Sequence, residues 1–130
     1  MLVYIPNRNI YLLKTFSLFK YLEPPPPPVN ISYGEVKETQ ISVNWDRPKL
    51  FDLFGIKSYM IIYHPFDELL NKTKEIVSIE QNGLLNNLNS NQFYEIYLRG
   101  INKYGHGEDS NRIRVKTKKK GINRLDHSNN

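Results

Sequence analysis

An all-β chain of short antiparallel strands is the fold class that three features of this 130-residue sequence predict. Tyr94, Ile96, Leu98 and Gly100 alternate with Glu95, Tyr97, Arg99 and Ile101, the period of two that gives a strand one buried and one wet face. Ile41, Val43 and Trp45 share one parity within residues 40–45 and point to an inner face. Gly105 and Gly107 follow the end of the long strand at Asn102 and supply the freely rotating backbone that turns the chain back toward Ser110. Residues 92–117 thus read as strand, loop, strand, with 94–101 as the central strand of its sheet.

The length leaves room for one domain of about 90 to 100 residues plus tails. The formal charge of +5 is unevenly placed: 7 of the 18 Lys and Arg lie between Arg112 and Arg124, where Asp126 is the only acid after 111. Residues 1–111 are therefore close to neutral, which excludes a broad nucleic-acid footprint. Without cysteine there is no disulfide framework, thiolate nucleophile or zinc ribbon.

Residues 1–22 are apolar and aromatic, but Lys14 and Lys20 interrupt them and no small-x-small cleavage pattern follows, so they read as an extension or linker, or an imperfect signal segment. No run reaches the roughly 20 apolar residues of a membrane span. Leu12, Phe16 and Phe19 have the spacing of a short amphipathic helix. The five prolines 24–28 cannot join a ladder and predict a polyproline II rod about 15 Å long, at about 3.1 Å per residue, acting as a linker between 1–23 and the domain. Residues 29–33 give a first strand and 40–45 a second, stopped by Asp46-Arg47-Pro48. A loop over 49–54 follows, unusually apolar with Leu50, Phe51, Leu53 and Phe54: either a cover for the sandwich end or a contact patch at that pole. Tyr59-Met60-Ile61-Ile62-Tyr63 is the next strand, then a long connection from His64 to Asn71, a strand from Thr73 to Ser78 or Ile79, and another over 83–88. From Lys118 the chain is a basic, polar, disordered tail.

Three motifs in order carry a resemblance. They are Trp45 with Pro48; Gly55-Ile56 with the 59–63 strand; and Leu88, five residues, Tyr94, then Asn102-x-x-Gly105-x-Gly107-x-x-Ser110. Over residues 28–117 the chain resembles a fibronectin type III domain. That resemblance implies a seven-stranded, immunoglobulin-like antiparallel β-sandwich with Trp45 at its centre. Pro48, Tyr59 and Leu88 become structural residues, and Tyr94 becomes the tyrosine corner, its hydroxyl bonding back to backbone at the turn before its strand. The sequence departs from the family at Ser90 and Gln92, where Pro and Thr are frequent, and at Gly100, where Ala is usual. The first two loosen the turn; the third removes a methyl from the core.

No catalytic site, cofactor or metal site is expected. His64 and His106 fall about 25 Å apart, and no nucleophile elbow, phosphate-binding glycine loop or paired carboxylates occur. What remains is surface. With Tyr59, Ile61, Tyr63, Tyr94, Ile96, Leu98, Ile113 and Val115 inward, the candidate binding face comprises Met60, Ile62, Tyr97, Arg99, Ile101, Arg112, Arg114 and Lys116, an apolar stripe joined to a basic edge. Its expected partner is a protein ligand or neighbouring domain, or an acidic glycan, with no nucleic acid and no membrane insertion by this chain. Sequons at Asn30 and Asn71 are candidate N-glycosylation sites, at about the number chance provides. The resemblance implies a spacer and docking module of an extracellular or cell-surface adhesion or receptor protein. Its alternatives are a cytoplasmic scaffold or cytoskeletal module, or an ectodomain piece of a receptor kinase or phosphatase.

Overall fold

The structure, a computed structural model, describes residues 22–67 and 72–121. The strands are β1 (Val29–Val36), β2 (Ile41–Asp46), β3 (Ser58–Pro65), β4 (Lys74–Ser78), β5 (Asn82–Leu85), β6 (Phe93–Asn102), β7 (Gly105–His106) and β8 (Ile113–Lys116). One antiparallel sheet has the order β1-β2-β5; the other runs β4-β3-β6, with β7 and β8 both on the far side of β6. The 94–101 alternation sits in the middle of its sheet because both edges of β6 are paired.

The two inner faces meet as the side-chain parity requires. Ile41, Val43, Trp45 and Leu85 pack against Tyr59, Ile61, Tyr63, Tyr94, Ile96, Leu98 and Val115, all buried. Each such large apolar side chain contributes about 1.5–3 kcal/mol on burial. Trp45 meets Tyr59 edge to face, with ring centroids 5.5 Å apart at 66°, the offset that ring quadrupoles favour. Pro48 and Leu88 are buried beside this core.

β7 and β8 are two segments of one returning strand. Between them Gly107 N–H donates to Gly100 O (2.9 Å) and Ser110 N–H to Leu98 O (2.8 Å). The Ser110 hydroxyl accepts the Leu98 N–H at 2.8 Å, standing in for a backbone carbonyl where the ladder lapses. The turn before β6 closes as a corner: the Tyr94 hydroxyl accepts the Asn89 N–H at 2.8 Å. Thr117 completes it, donating to Asn89 O (2.6 Å) and accepting the Gln92 N–H (3.0 Å). A hydroxyl from the following strand thus tightens the turn that Ser90 and Gln92 were expected to loosen.

Several expectations need correction. The apolar 49–54 segment is not an irregular loop: it contains a helical turn, α1 (Phe51–Phe54), bounded by left-handed Leu50 and Gly55. The Arg47 guanidinium lies 4.5 Å from the Phe51 ring centroid. Strand β5 ends at Leu85, short of Leu88, whose N–H turns to Thr39 O (3.0 Å). The tail does not leave at Lys118, because Lys118 N–H reaches Lys37 O (3.1 Å) and Gly121 N–H the Glu38 carboxylate (2.8 Å). The suggested helix within 1–22 lies, apart from Leu22, outside the described residues.

The largest difference concerns the prolines, expected as a polyproline linker at the domain boundary. Pro25 is fully buried. A Cβ built on Gly100 would come within 2.9 Å of Pro25 Cγ, and one on Gly107 within 1.8 Å of Pro25 O. Gly100 therefore does not leave a hole in the core; the proline ring occupies the space. Gly107 is needed for close approach rather than rotation, and it is Gly105 that takes a positive φ of 120°.

Candidate interaction face

The β3–β6–β8 register sets the outer face of the larger sheet. Met60 lies opposite Arg99 and Ile62 opposite Tyr97, while His64 and Glu95 pair across the strands, with Arg114 on the far side of Glu95. Ile101 follows Arg99 on the same parity, and Arg112 and Lys116 flank Arg114. The eight residues expected on this face thus come from three adjacent strands and their flanks, but they are not alike in exposure. Ile62 and Tyr97 are 1% and 7% exposed. Met60, Arg99 and Ile101 are half-buried, and only Arg112, Arg114 and Lys116 are open.

Over Tyr97 lies a ladder of charge. Arg99 Nε pairs with Asp109, whose other oxygen is 3.3 Å from Arg112. Arg112 pairs in turn with Glu95, and its guanidinium stacks 4.1 Å from the Tyr97 ring centroid. The Glu95 hydrogen bond raises Arg112 above the ordinary arginine value, with burial opposing it and the Glu95 charge reinforcing it. Glu95 also lies 3.7 Å from Nε2 of buried His64, whose Nδ1 is 2.9 Å from Pro65 O. Asp109 and Glu95 were absent from the sequence-derived face. Glu95 was legible from parity with Tyr97; Asp109 was not, since it comes from the β7–β8 bend.

Below the ladder two cations rest on aromatics. Arg114 is 3.3 Å from the Phe66 ring centroid and Lys116 is 5.0 Å from that of the exposed Phe93. Phe66 N–H donates to Phe93 O (2.8 Å), which holds the two aromatic positions side by side. At the opposite pole Asn102 ties three segments, donating to Glu23 O (2.7 Å) and Phe54 O (2.9 Å) while its side-chain oxygen accepts the Tyr104 N–H (2.8 Å). A cleft of about 760 Å³ opens there between the prolines, Phe54, Arg99 and His106.

His64 and His106 are not brought together. His64 faces Glu95 and His106 faces Ile101, six residues or about 20 Å apart along β6. Among the described residues no group of three or more His, Asp or Glu is placed to hold a metal ion, and no helix is long and apolar enough to cross a membrane. Asn30 is exposed on β1, with its side-chain nitrogen donating to Asp46 at 2.8 Å. Asn71 lies outside the described residues.

Two sheets closing over a central Trp, with β1-β2-β5 against β4-β3-β6-β8, define an immunoglobulin-like sandwich. The family model of the fibronectin type III domain matches residues 25–116, and the chain belongs to that family. Contactin-5 of Danio rerio is 30% identical over 99 residues, covering 75% of this chain and 9% of the relative. The chain thus spans about a tenth of that protein's length. Among solved structures, the fn3 domain of human contactin 1 superposes with a TM-score of 0.67 at 24% identity, covering 76% of this chain and 82% of that one. Domains A168–A170 of titin superpose at 0.66 and 18% identity, covering 74% and 33%. At these identities the structural neighbours establish the fold alone. Fibronectin type III domains are typically non-catalytic mediators of protein–protein interaction.

Proposed function

We propose that this domain is a docking module of a cell-surface or extracellular adhesion protein, and that the outer face of β3, β6 and β8 contacts a protein ligand. The observation that carries the reading is the stacked cluster of Tyr97 and Arg112, with Arg99 and Met60 beside it, on the outer face of β3 and β6. Aromatic and arginine side chains dominate interface energetics when such a face is desolvated. Similarity to contactin-5 supports the adhesion setting. An acidic glycan is not favoured, because Arg99 and Arg112 are already neutralised by Asp109 and Glu95.

A second reading uses the pole around Asn102. Exposed Leu50 and Leu53 on and beside α1, with exposed Tyr104 on the β6–β7 turn, support packing against a neighbouring domain there.

The test is binding of the tagged chain to a panel of cell-surface ectodomains. Binding to at least one, lost in Arg114→Glu and Lys116→Glu variants of unchanged melting temperature, is expected. No binder in the panel, or binding indifferent to those changes, overturns the choice of face. Loss on Leu53→Asp instead favours the pole.

A further inference from the structure

We infer that the end of the sandwich between the start of β4 and the turn before β6 is a binding site for a small tetrahedral oxyanion, the phosphate or sulfate head of an ester. A cavity of about 300 Å³ opens there, at the pole opposite Asn102 and at the lower end of the volumes that small-ligand sites occupy. It is no part of the outer β3–β6–β8 face, so the inference goes beyond the docking role and does not rest on it.

The register builds the floor of this cavity. Tyr63 lies across from Lys74 on β4 and, on its other side, across from Ile96 on β6, which makes Tyr94 its diagonal neighbour on the inner face. The two tyrosines are 5% and 4% exposed, and both line the cavity. Among the described residues neither hydroxyl donates its hydrogen: that of Tyr63 makes no hydrogen bond, and that of Tyr94 accepts the Asn89 N–H alone. Burial, with the Tyr94 charge adding to it, raises Tyr63 above the ordinary 10.0, so its hydroxyl stays a donor throughout the neutral range. Thr73, on the wall beside them, has a buried hydroxyl without a partner. Buried donors left unmade are costly, and an oxygen-rich ligand supplies what these lack.

What selects an anion is the charge of the lining. Lys72 and Lys74 stand at the rim, and no Asp or Glu of the described residues lines the cavity. Lys74 has no ion pair among the described residues. The same ammonium groups repel a cation. A carboxylate presents its oxygens in one plane, whereas a phosphate or sulfate ester spreads strong acceptor oxygens over a tetrahedron and so meets hydroxyls below and ammonium groups above together. Leu88 and Pro65, also on the wall, give the organic part of the ester an apolar edge to lie on.

Titration of the isotope-labelled full chain with phenyl phosphate and with phenyl sulfate, read by amide chemical shifts at a constant ionic strength of about 150 mM, tests this. Saturable shifts at Lys74, Asn89 and Tyr94, with a dissociation constant of about 1 mM or below, are expected for at least one ester; which one binds tells a phosphate source from a sulfate source. Tyr63→Phe, which keeps the ring, and Lys74→Gln should each weaken binding at least about threefold. Neither substitution removes a hydrogen bond of the fold, so Tm should stay within about 2 °C. Lys103→Gln, at the other pole, should leave binding unchanged. No saturable shift with either ester up to about 20 mM, equal binding of acetate, or a constant indifferent to Tyr63→Phe or to Lys74→Gln overturns the inference. So does a loss as large in Lys103→Gln, which would mean attraction to general positive charge.

Discussion

Replacing Gly107 by Ala tests whether the proline run is part of the fold. Gly107 has no positive φ, so Ala brings no backbone strain of its own and only the methyl is at issue. That methyl would lie 1.8 Å from the Pro25 carbonyl oxygen and 3.0 Å from its carbon, a clash that backbone on both sides cannot absorb, so the prolines must lift away. Exposing about 100 Å² of proline ring costs about 2.5 kcal/mol at about 25 cal/mol per Å². Losing the bond from Asn102 to Glu23 O adds about 1 kcal/mol. Chain freedom regained by the released segment offsets about 1 to 2 kcal/mol of this, leaving about 2 kcal/mol, or a fall in Tm of about 10 °C for a domain of this size. Urea and thermal unfolding of the full chain and of a chain beginning at Val29 give the decisive comparison. In the shortened chain Gly107→Ala should cost under about 0.5 kcal/mol, because its only obstacle is gone. Equal losses in both backgrounds would refute the reasoning.

Other perturbations address the corner, the core and the face. Tyr94→Phe removes the acceptor of the Asn89 N–H and should cost about 1 kcal/mol rather than more, since Asn89 is exposed and water can take over; an unchanged urea midpoint would count against the corner. Thr117→Val keeps the shape but strips two bonds from a hydroxyl in a residue only 2% exposed. It should cost about 2 kcal/mol and, because it restrains the same turn, be non-additive with Tyr94→Phe in a double-mutant cycle. Burial raises both Tyr59, against the lowering effect of the Arg47 charge, and Tyr63, with the Tyr94 charge adding to it, above the ordinary 10.0. Their stabilising contribution is complete below that value; above it the unfolded chain loses protons that the folded one keeps, so stability falls as pH rises. Unfolding midpoints measured from pH 9 to 11.5 should show that decline, and Tyr63→Phe should flatten it.

The parts of the fold that depend on parity were legible, because a period of two assigns every side chain of a strand at once. Ile41, Val43 and Trp45 on β2, and Tyr94, Ile96 and Leu98 on β6, face each other as the alternation requires. What escaped depends on contacts distant in sequence. Nothing local at Pro25 announces that it fills the space beside Gly100, since the two are 75 positions apart and composition alone describes a linker. Thr117 escaped for the same reason, as its hydroxyl serves a turn 25 residues earlier. The burial of Tyr97 escaped because it is covered by an arginine rather than by another layer of apolar residues, and period-two patterning cannot see a side chain folded over its neighbour.

That cover changes how the outer face must work. Had Arg99 and Arg112 been free, they would have steered an acidic partner through long-range attraction, with steep dependence on salt. Paired with Asp109 and Glu95, they present almost no net charge. A ligand that tries to use them must break bonds worth about as much as those it forms. The contacts left open are shape and stacking, over Tyr97 through its arginine lid and over the Phe66 and Phe93 rings through Arg114 and Lys116. With the open cations Arg114 and Lys116 replaced by Gln, affinity on this face should therefore fall less than about tenfold between 50 and 500 mM salt, as titration calorimetry with a cognate ectodomain would read it. A steeper fall would mean that the ladder opens on binding and that the arginines, rather than the rings they cover, make the contact.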